Sequence, residues 1–145
     1  MTVLYSVETT GVFDGTVPPK MQDGSVCHAT LYRLRNTINL ASQATTDQIF
    51  LGKLPPGAVF AYGVLNGDTS LGSSTLAIGN SATHASNDKY RAAAAHTATV
   101  PTLFGKASAA DDGPLAAETE VWATWASAAL PSSGILVIDI YYSRR

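Results

Sequence analysis

Apolar residues at every second position dominate the C-terminal third of this chain, and that period restricts the fold more than any other feature. In ETEVWATWASA, Thr119, Val121, Ala123 and Trp125 fall on one side, and Glu118, Glu120, Trp122 and Thr124 on the other. After the turn-forming LPSSG, the segment ILVIDIYYS places Leu136, Ile138, Ile140 and Tyr142 in one continuous row, with Asp139 on the opposite row facing water or guarding against unwanted strand pairing. Side chains of a strand alternate between its two faces, so a two-residue period makes a strand with one buried face, whereas a helix would scatter the same residues around its axis.

The same alternation, punctuated by Gly and Pro, extends back to about Val26. VCHATLYRLR reads as a well-covered strand that surfaces at Arg33 and Arg35, TINLAS pairs next, and DQIFLGKL runs into Pro55-Pro56-Gly57, whose fixed and permissive backbone angles suit a tight turn. AVFAYGVL follows and ends at Asn66-Gly67, the dipeptide favoured in a two-residue hairpin, which predicts that residues 74–79 return beside it. Residues 80–115 form a long excursion rich in Ala, Ser and Asp. Within it the alanine run of KYRAAAAH predicts a short helix begun at Asn87-Asp88, with a further strand over 97–104. About eight strands result, which predicts an all-β antiparallel β-sandwich of jelly-roll type with one short helix in a long loop. The domain spans residues 26–145, and residues 1–25 form an N-terminal arm or edge strand.

At 145 residues the chain fits one domain with a self-sufficient core. Its charged fraction, 14%, lies well below the roughly 25% of an average soluble domain, so surface polarity must come from Ser, Thr, Asn and the backbone. A net charge of −2 and the lack of any Lys/Arg run give no field to attract nucleic acid. No apolar run reaches the ~18 residues of a membrane-spanning helix, and the first residues lack the basic and apolar regions of a secretory signal. The expectation is therefore synthesis in a cytoplasm, with neither membrane nor nucleic acid as partner. Cys27 has no second cysteine to pair with and reads as a small buried hydrophobe.

The sequence offers little to catalysis. GDTSLGSSTLAIG, residues 67–79, begins like a serine-esterase signature, but Thr69 separates Asp68 from Ser70 and no Gly-x-Ser-x-Gly follows. His28, His84 and His96 lack the spacing of a helical zinc site. Asp111-Asp112-Gly113 lacks the alternating acids and distal Glu of a calcium loop. Glu118 and Glu120 share a strand face but show no cleft between two differently perturbed carboxyls. The expectation is a non-enzyme without cofactor or metal, whose function lies in its surface. Trp122, on the polar row of its strand, is then either covered by the 80–115 excursion or offered to a partner.

The succession DQIFLGKLPPGAVFAYGVLNGDTSLGSSTLAIG, DKYRAAAAHT and ETEVWATWASAALPSSGILVIDIYYS, spanning Asp47 to Ser143, resembles small virion proteins of tailed bacteriophages made beside the major capsid protein. The resemblance implies a capsid decoration, or cement, protein on the outer shell, with the major capsid protein and further copies of itself, such as trimers at three-fold positions, as partners. Residues of the arm, Val3, Leu4, Tyr5, Val7 and Phe13, together with Trp122, are the candidate interface. The alternatives are a carbohydrate-binding module using an exposed aromatic platform and a neck or tail component of the same virion.

Overall fold

A computed structural model describes residues 15–18, 21, 29–83, 87–106 and 113–144. The described residues form eight strands and no helix: β1 (Tyr32–Asn39), β2 (Gln48–Leu54), β3 (Ala58–Gly67), β4 (Thr75–Gly79), β5 (Arg91–Ala95), β6 (Thr102–Phe104), β7 (Thr119–Ala126) and β8 (Ile135–Arg144). They assemble into two antiparallel four-stranded sheets in the orders β1-β8-β3-β6 and β2-β7-β4-β5. Every connection except β4–β5 passes from one sheet to the other, which is the double-sheet winding of a jelly roll.

The apolar rows read from the sequence meet between the sheets. Leu136, Ile138 and Ile140 of β8 pack with Leu65 of β3 and with Val121, Ala123 and Trp125 of β7 in one buried cluster. Trp125 is 1% exposed, and Val121, Ile138 and Ile140 are fully buried. Each such side chain contributes about 1.5–3 kcal/mol by leaving water, so these two strands anchor the domain. Polar residues end the rows: Gln43 accepts the Trp125 Nε1–H on its backbone oxygen at 3.3 Å and ties its own Nε2 to the Asn39 carbonyl at 2.9 Å.

Three expectations are corrected. The alanine run is strand β5, not helix. An isolated helix of two or three turns is marginal in water, whereas here the segment gains a strand partner in β4 and Arg91 donates to the carbonyls of Leu76, Ala94 and Ala95. Asn66-Gly67 makes no hairpin: β3 stays paired with β8 through Gly67↔Leu136, and β4 lies in the other sheet between β7 and β5. Asp68 extends that pairing, donating its N–H to the Ile135 carbonyl at 3.1 Å and accepting the Ile135 N–H on Oδ1 at 2.7 Å. The bonds to β8 thereby override the local turn preference. The first strand begins at Tyr32 and takes in the first half of TINLAS, while the strand expected over 97–104 contracts to Thr102–Phe104. Cys27, His28, His84 and Asp111-Asp112 lie outside the described residues.

Candidate interface surfaces

Trp122 projects from β7 onto the outer face of the β2-β7-β4-β5 sheet. Its register partner Phe50 packs against it at 5.0 Å between ring centroids, and its Nε1–H donates to Glu120 Oε2 at 3.1 Å. The ring is half-buried rather than presented as a flat platform. The excursion contributes beside it through Asn87, a fully buried side chain whose Nδ2 donates to the Trp122 carbonyl at 3.0 Å and to Thr124 Oγ1 at 3.1 Å. Its Oδ1 accepts the Ser81 N–H at 3.3 Å. Thr124 and Ala77, outward-facing by register, are consequently buried. Gly79 makes this closeness feasible: a Cβ there would stand 2.6 Å from Asn87 Oδ1 and 2.8 Å from the Lys89 nitrogen. Nothing in the sequence pattern marked Asn87 except its place before a supposed helix.

The groups weighed for catalysis are not brought together. Glu118 forms an ion pair with Lys53 at 2.8 Å while Glu120 holds Trp122, so the two acids take separate structural partners. His96 is 3% exposed with its Nε2 unpartnered among the described residues; burial first, and the Arg91 charge second, push its pKa below the ordinary imidazole value. In the esterase-like stretch, Asp68 is held below the usual carboxylate value by the Ile135 N–H and by the Thr69 hydroxyl, and Ser70 Oγ accepts the Gly72 N–H. These are loop-fixing roles. Among the described residues no group of three or more His, Cys, Asp or Glu is placed to hold a metal, and no helix is long and apolar enough to cross a membrane. The arm residues Val3, Leu4, Tyr5, Val7 and Phe13 lie outside the described residues.

A surface that the sequence reading did not single out lies on the outside of the β1-β8-β3-β6 sheet. Register aligns Arg33, Tyr141 and Tyr62 in one cross-strand row, and Arg35, Asp139, Val64 and Leu103 in the next. Tyr62 and Tyr141 stack at 4.8 Å, and Leu103 is 71% exposed. Of the two roles expected for Asp139, facing open water is not what the structure shows. Its side chain is 13% exposed, with Arg35 Nη1 3.9 Å away.

No family model matches the chain, and no curated protein is similar to it in sequence. Solved structures are similar in fold. A chain of the Cyanophage Pam1 capsid asymmetric unit aligns at TM-score 0.61 and 17% identity over 81% of this chain and 86% of that one. One from the capsid of Ralstonia phage GP4 aligns at 0.56 and 20% identity, covering 81% and 84%. One from the acidic stable capsid structure of Helicobacter pylori bacteriophage KHP30 aligns at 0.57 and 14% identity, covering 79% and 88%. This chain shares their fold. The likeness runs over most of each chain, so it is the sandwich as a whole, not a fragment, that recurs in these three phage capsids.

Proposed function

We propose that this chain is a structural virion protein of a tailed bacteriophage, a decoration or cement protein that binds the outer shell formed by the major capsid protein and stabilises the head. The observation that carries this reading is the recurrence of the whole sandwich in chains of three phage capsid structures. The aligned part is nearly the same fraction of both partners in each comparison, so those capsid chains are close to this one in length and are likewise little more than one sandwich. The separate structural partners of Glu118 and Glu120 and the buried state of His96 support a protein without an active site.

A cement protein stabilises a shell by linkage: it binds the assembled lattice better than free subunits, and bound copies shift the equilibrium toward the assembled state. Modest individual contacts suffice, because copies that bind each other as well as the shell gain from effective concentration. The low surface charge limits repulsion between neighbours in such an array. The arm, Val3 to Phe13, and the Phe50–Trp122 pair are the contacts proposed with the shell or a sister copy.

Electron microscopy of the native particle tests the role through copy number and position. Hundreds of copies on the head are expected, and a few copies at one vertex would instead mean a neck or tail component. Deletion of residues 1–13 should leave a folded domain that binds particles more weakly, and full binding by the truncated protein would reject the arm's part in it.

A further inference from the structure

Strand β5 is fastened unlike the others. Its four alanines, Ala92 to Ala95, are exposed on the edge of the β2-β7-β4-β5 sheet, so between its ends the strand buries no apolar side chain. Its ladder is short as well, because a register shift separates Thr75↔Ala95 and Leu76↔Ala94 from Ile78↔Arg91. What holds it sits at its two ends. On the N-terminal side Tyr90, 1% exposed, donates its N–H to the Ile78 carbonyl at 2.9 Å. On the C-terminal side His96, 3% exposed, buries its ring and accepts the Leu71 N–H on its carbonyl oxygen at 2.9 Å. A segment with few buried apolar contacts opens locally, at a free energy below that of global unfolding.

We propose that β5 is a detachable edge strand, released at its C-terminal end when His96 takes up a proton. The closed strand gives an imidazolium nothing to bond: Nε2 is buried with no hydrogen-bond partner among the described residues, so a proton there makes a buried and unsatisfied charge. The charge that acts on the ring has the same sign. Arg91 reaches along the strand to the carbonyls of Leu76, Ala94 and Ala95 and opposes a second cation beside it. Among the described residues no carboxylate compensates. Asp68, on the segment that leads to Leu71, is engaged by the Ile135 N–H and the Thr69 hydroxyl. Glu118 and Glu120, at the start of β7, hold Lys53 and Trp122, and Asp139 of β8 stands beside Arg35 on the outside of the other sheet. Ahead of β5, Asp88 pairs with Lys106, while Lys89 lies over the Tyr90 ring and Tyr90 packs on Phe60. The core side chains that the other strands supply, Leu65, Phe104, Trp125 and Leu136, carry no charge.

Linkage fixes the direction. In the closed strand the imidazole stays neutral, its proton affinity lowered by burial first and by the Arg91 charge second, whereas in the open strand it returns to the ordinary value of about 6.5. The open form therefore binds more protons as the pH falls. Its population relative to the closed form grows several-fold, at most about tenfold, for each pH unit below about 6.5 until the closed form's own value is reached, and it is constant above that range. The change is local: it bares the edge of β4 that β5 covers, while β7 and the β1-β8-β3-β6 sheet keep their partners. A bared edge offers unpaired N–H and C=O groups to another strand. The release needs neither a shell nor a second copy, so it and the virion role can fail separately.

Amide hydrogen exchange of the full chain from about pH 7.5 to about pH 5, corrected for the intrinsic pH dependence of exchange, tests the release. The Leu71 amide, bonded to the His96 carbonyl, should lose protection several-fold per pH unit below about 6.5. The Leu40 amide, bonded to the Gly134 carbonyl just beyond β1, should not follow it. His96→Gln supplies a polar side chain that does not titrate; with its fold checked by far-UV circular dichroism, it should hold the protection of Leu71 level over the same range. A magnetic-resonance titration of the His96 ring in the unaltered chain is the second measurement, and the ring should stay neutral below about pH 6.5. Constant Leu71 protection in the wild type, a parallel loss at Leu40, an acid-dependent loss that persists in His96→Gln, or an imidazole that titrates at its ordinary value would each overturn the proposal.

Discussion

Replacing Asn87 tests how much one buried side chain adds to fastening the segment ahead of β5 onto the sandwich. The asparagine is fully buried and makes three hydrogen bonds, two as donor to the Trp122 carbonyl and Thr124 Oγ1 and one as acceptor from the Ser81 N–H. Each contributes about 0.5–1.5 kcal/mol net, and a buried partner left unsatisfied costs about 1–3 kcal/mol. The 3.3 Å bond to Ser81 belongs at the weak end, and the Thr124 hydroxyl is free to turn elsewhere. Asn87→Ala should therefore cost about 2–4 kcal/mol. At roughly 3 °C per kcal/mol for a domain of this size, the melting temperature should fall by about 6–12 °C in a calorimetric scan. Asn87→Asp is the sharper variant, because it keeps the shape and the acceptor for Ser81 but turns a donor into a carboxylate oxygen facing the Trp122 carbonyl. It should destabilise at least as much as alanine. A loss below about 0.5 kcal/mol for either, or full tolerance of aspartate, would show that the donor contacts do not hold the segment down.

Gly63→Ala should destabilise by about 1–3 kcal/mol or more, since its Cβ would stand 2.0 Å from Phe104 Cζ; Phe104→Leu in the same chain should recover part of the loss in a denaturant titration. Trp125→Ala should cost about 3–5 kcal/mol by emptying a core site 1% exposed, while Trp122→Ala on the outer face should cost clearly less; equal losses would contradict the assignment of inner and outer faces. His96 is held neutral in the fold, its pKa below that of the unfolded chain, so its stability is fully present above about pH 6.5 and declines as acid protonates the unfolded state preferentially. Chemical denaturation across that range should show the slope in the wild type and not in His96→Gln. Asp68 acts lower: its depressed pKa gives stability that is present above about pH 4 and lost as the pH falls through the folded-state value, a slope that Asp68→Asn should remove.

How much of the fold was legible followed from how locally each element was determined. The rows of β7 and β8 were readable because both strands are long, central and buried on one face, so every second residue reports the same core. The alanine run failed for the opposite reason. Ala92 to Ala95 are all exposed on an edge strand, where no buried face imprints a period on the sequence, and helix propensity is then the only signal left. Arg91, which turns back onto the carbonyls of its own edge, looks in the sequence like any surface arginine. The Asn66-Gly67 error was of another kind. The dipeptide is a sound hairpin signal, but it says nothing about a competing partner for the next residue, Asp68, that lies 67 residues further on, and Ile135 is that partner.

The candidate surface was harder to read than the fold because period-two logic assigns an apolar row to the core and stops there. In β3 the outward residues Tyr62 and Val64 sit among inward Phe60, Gly63 and Leu65, with a register shift between Phe60 and Tyr62. The segment therefore reads as uniformly apolar, as a strand buried on both faces would. Only strand order shows which of its two faces lacks a covering sheet. Trp122 drew attention in the sequence because a lone tryptophan among polar residues stands out, whereas Tyr62 and Leu103 do not; in the structure Phe50 across the strand packs against one side of it. For a chain with so few charges to spread over its surface, an uncovered apolar face is a solubility liability unless an assembly covers it. Such an assembly is what the capsid reading supplies.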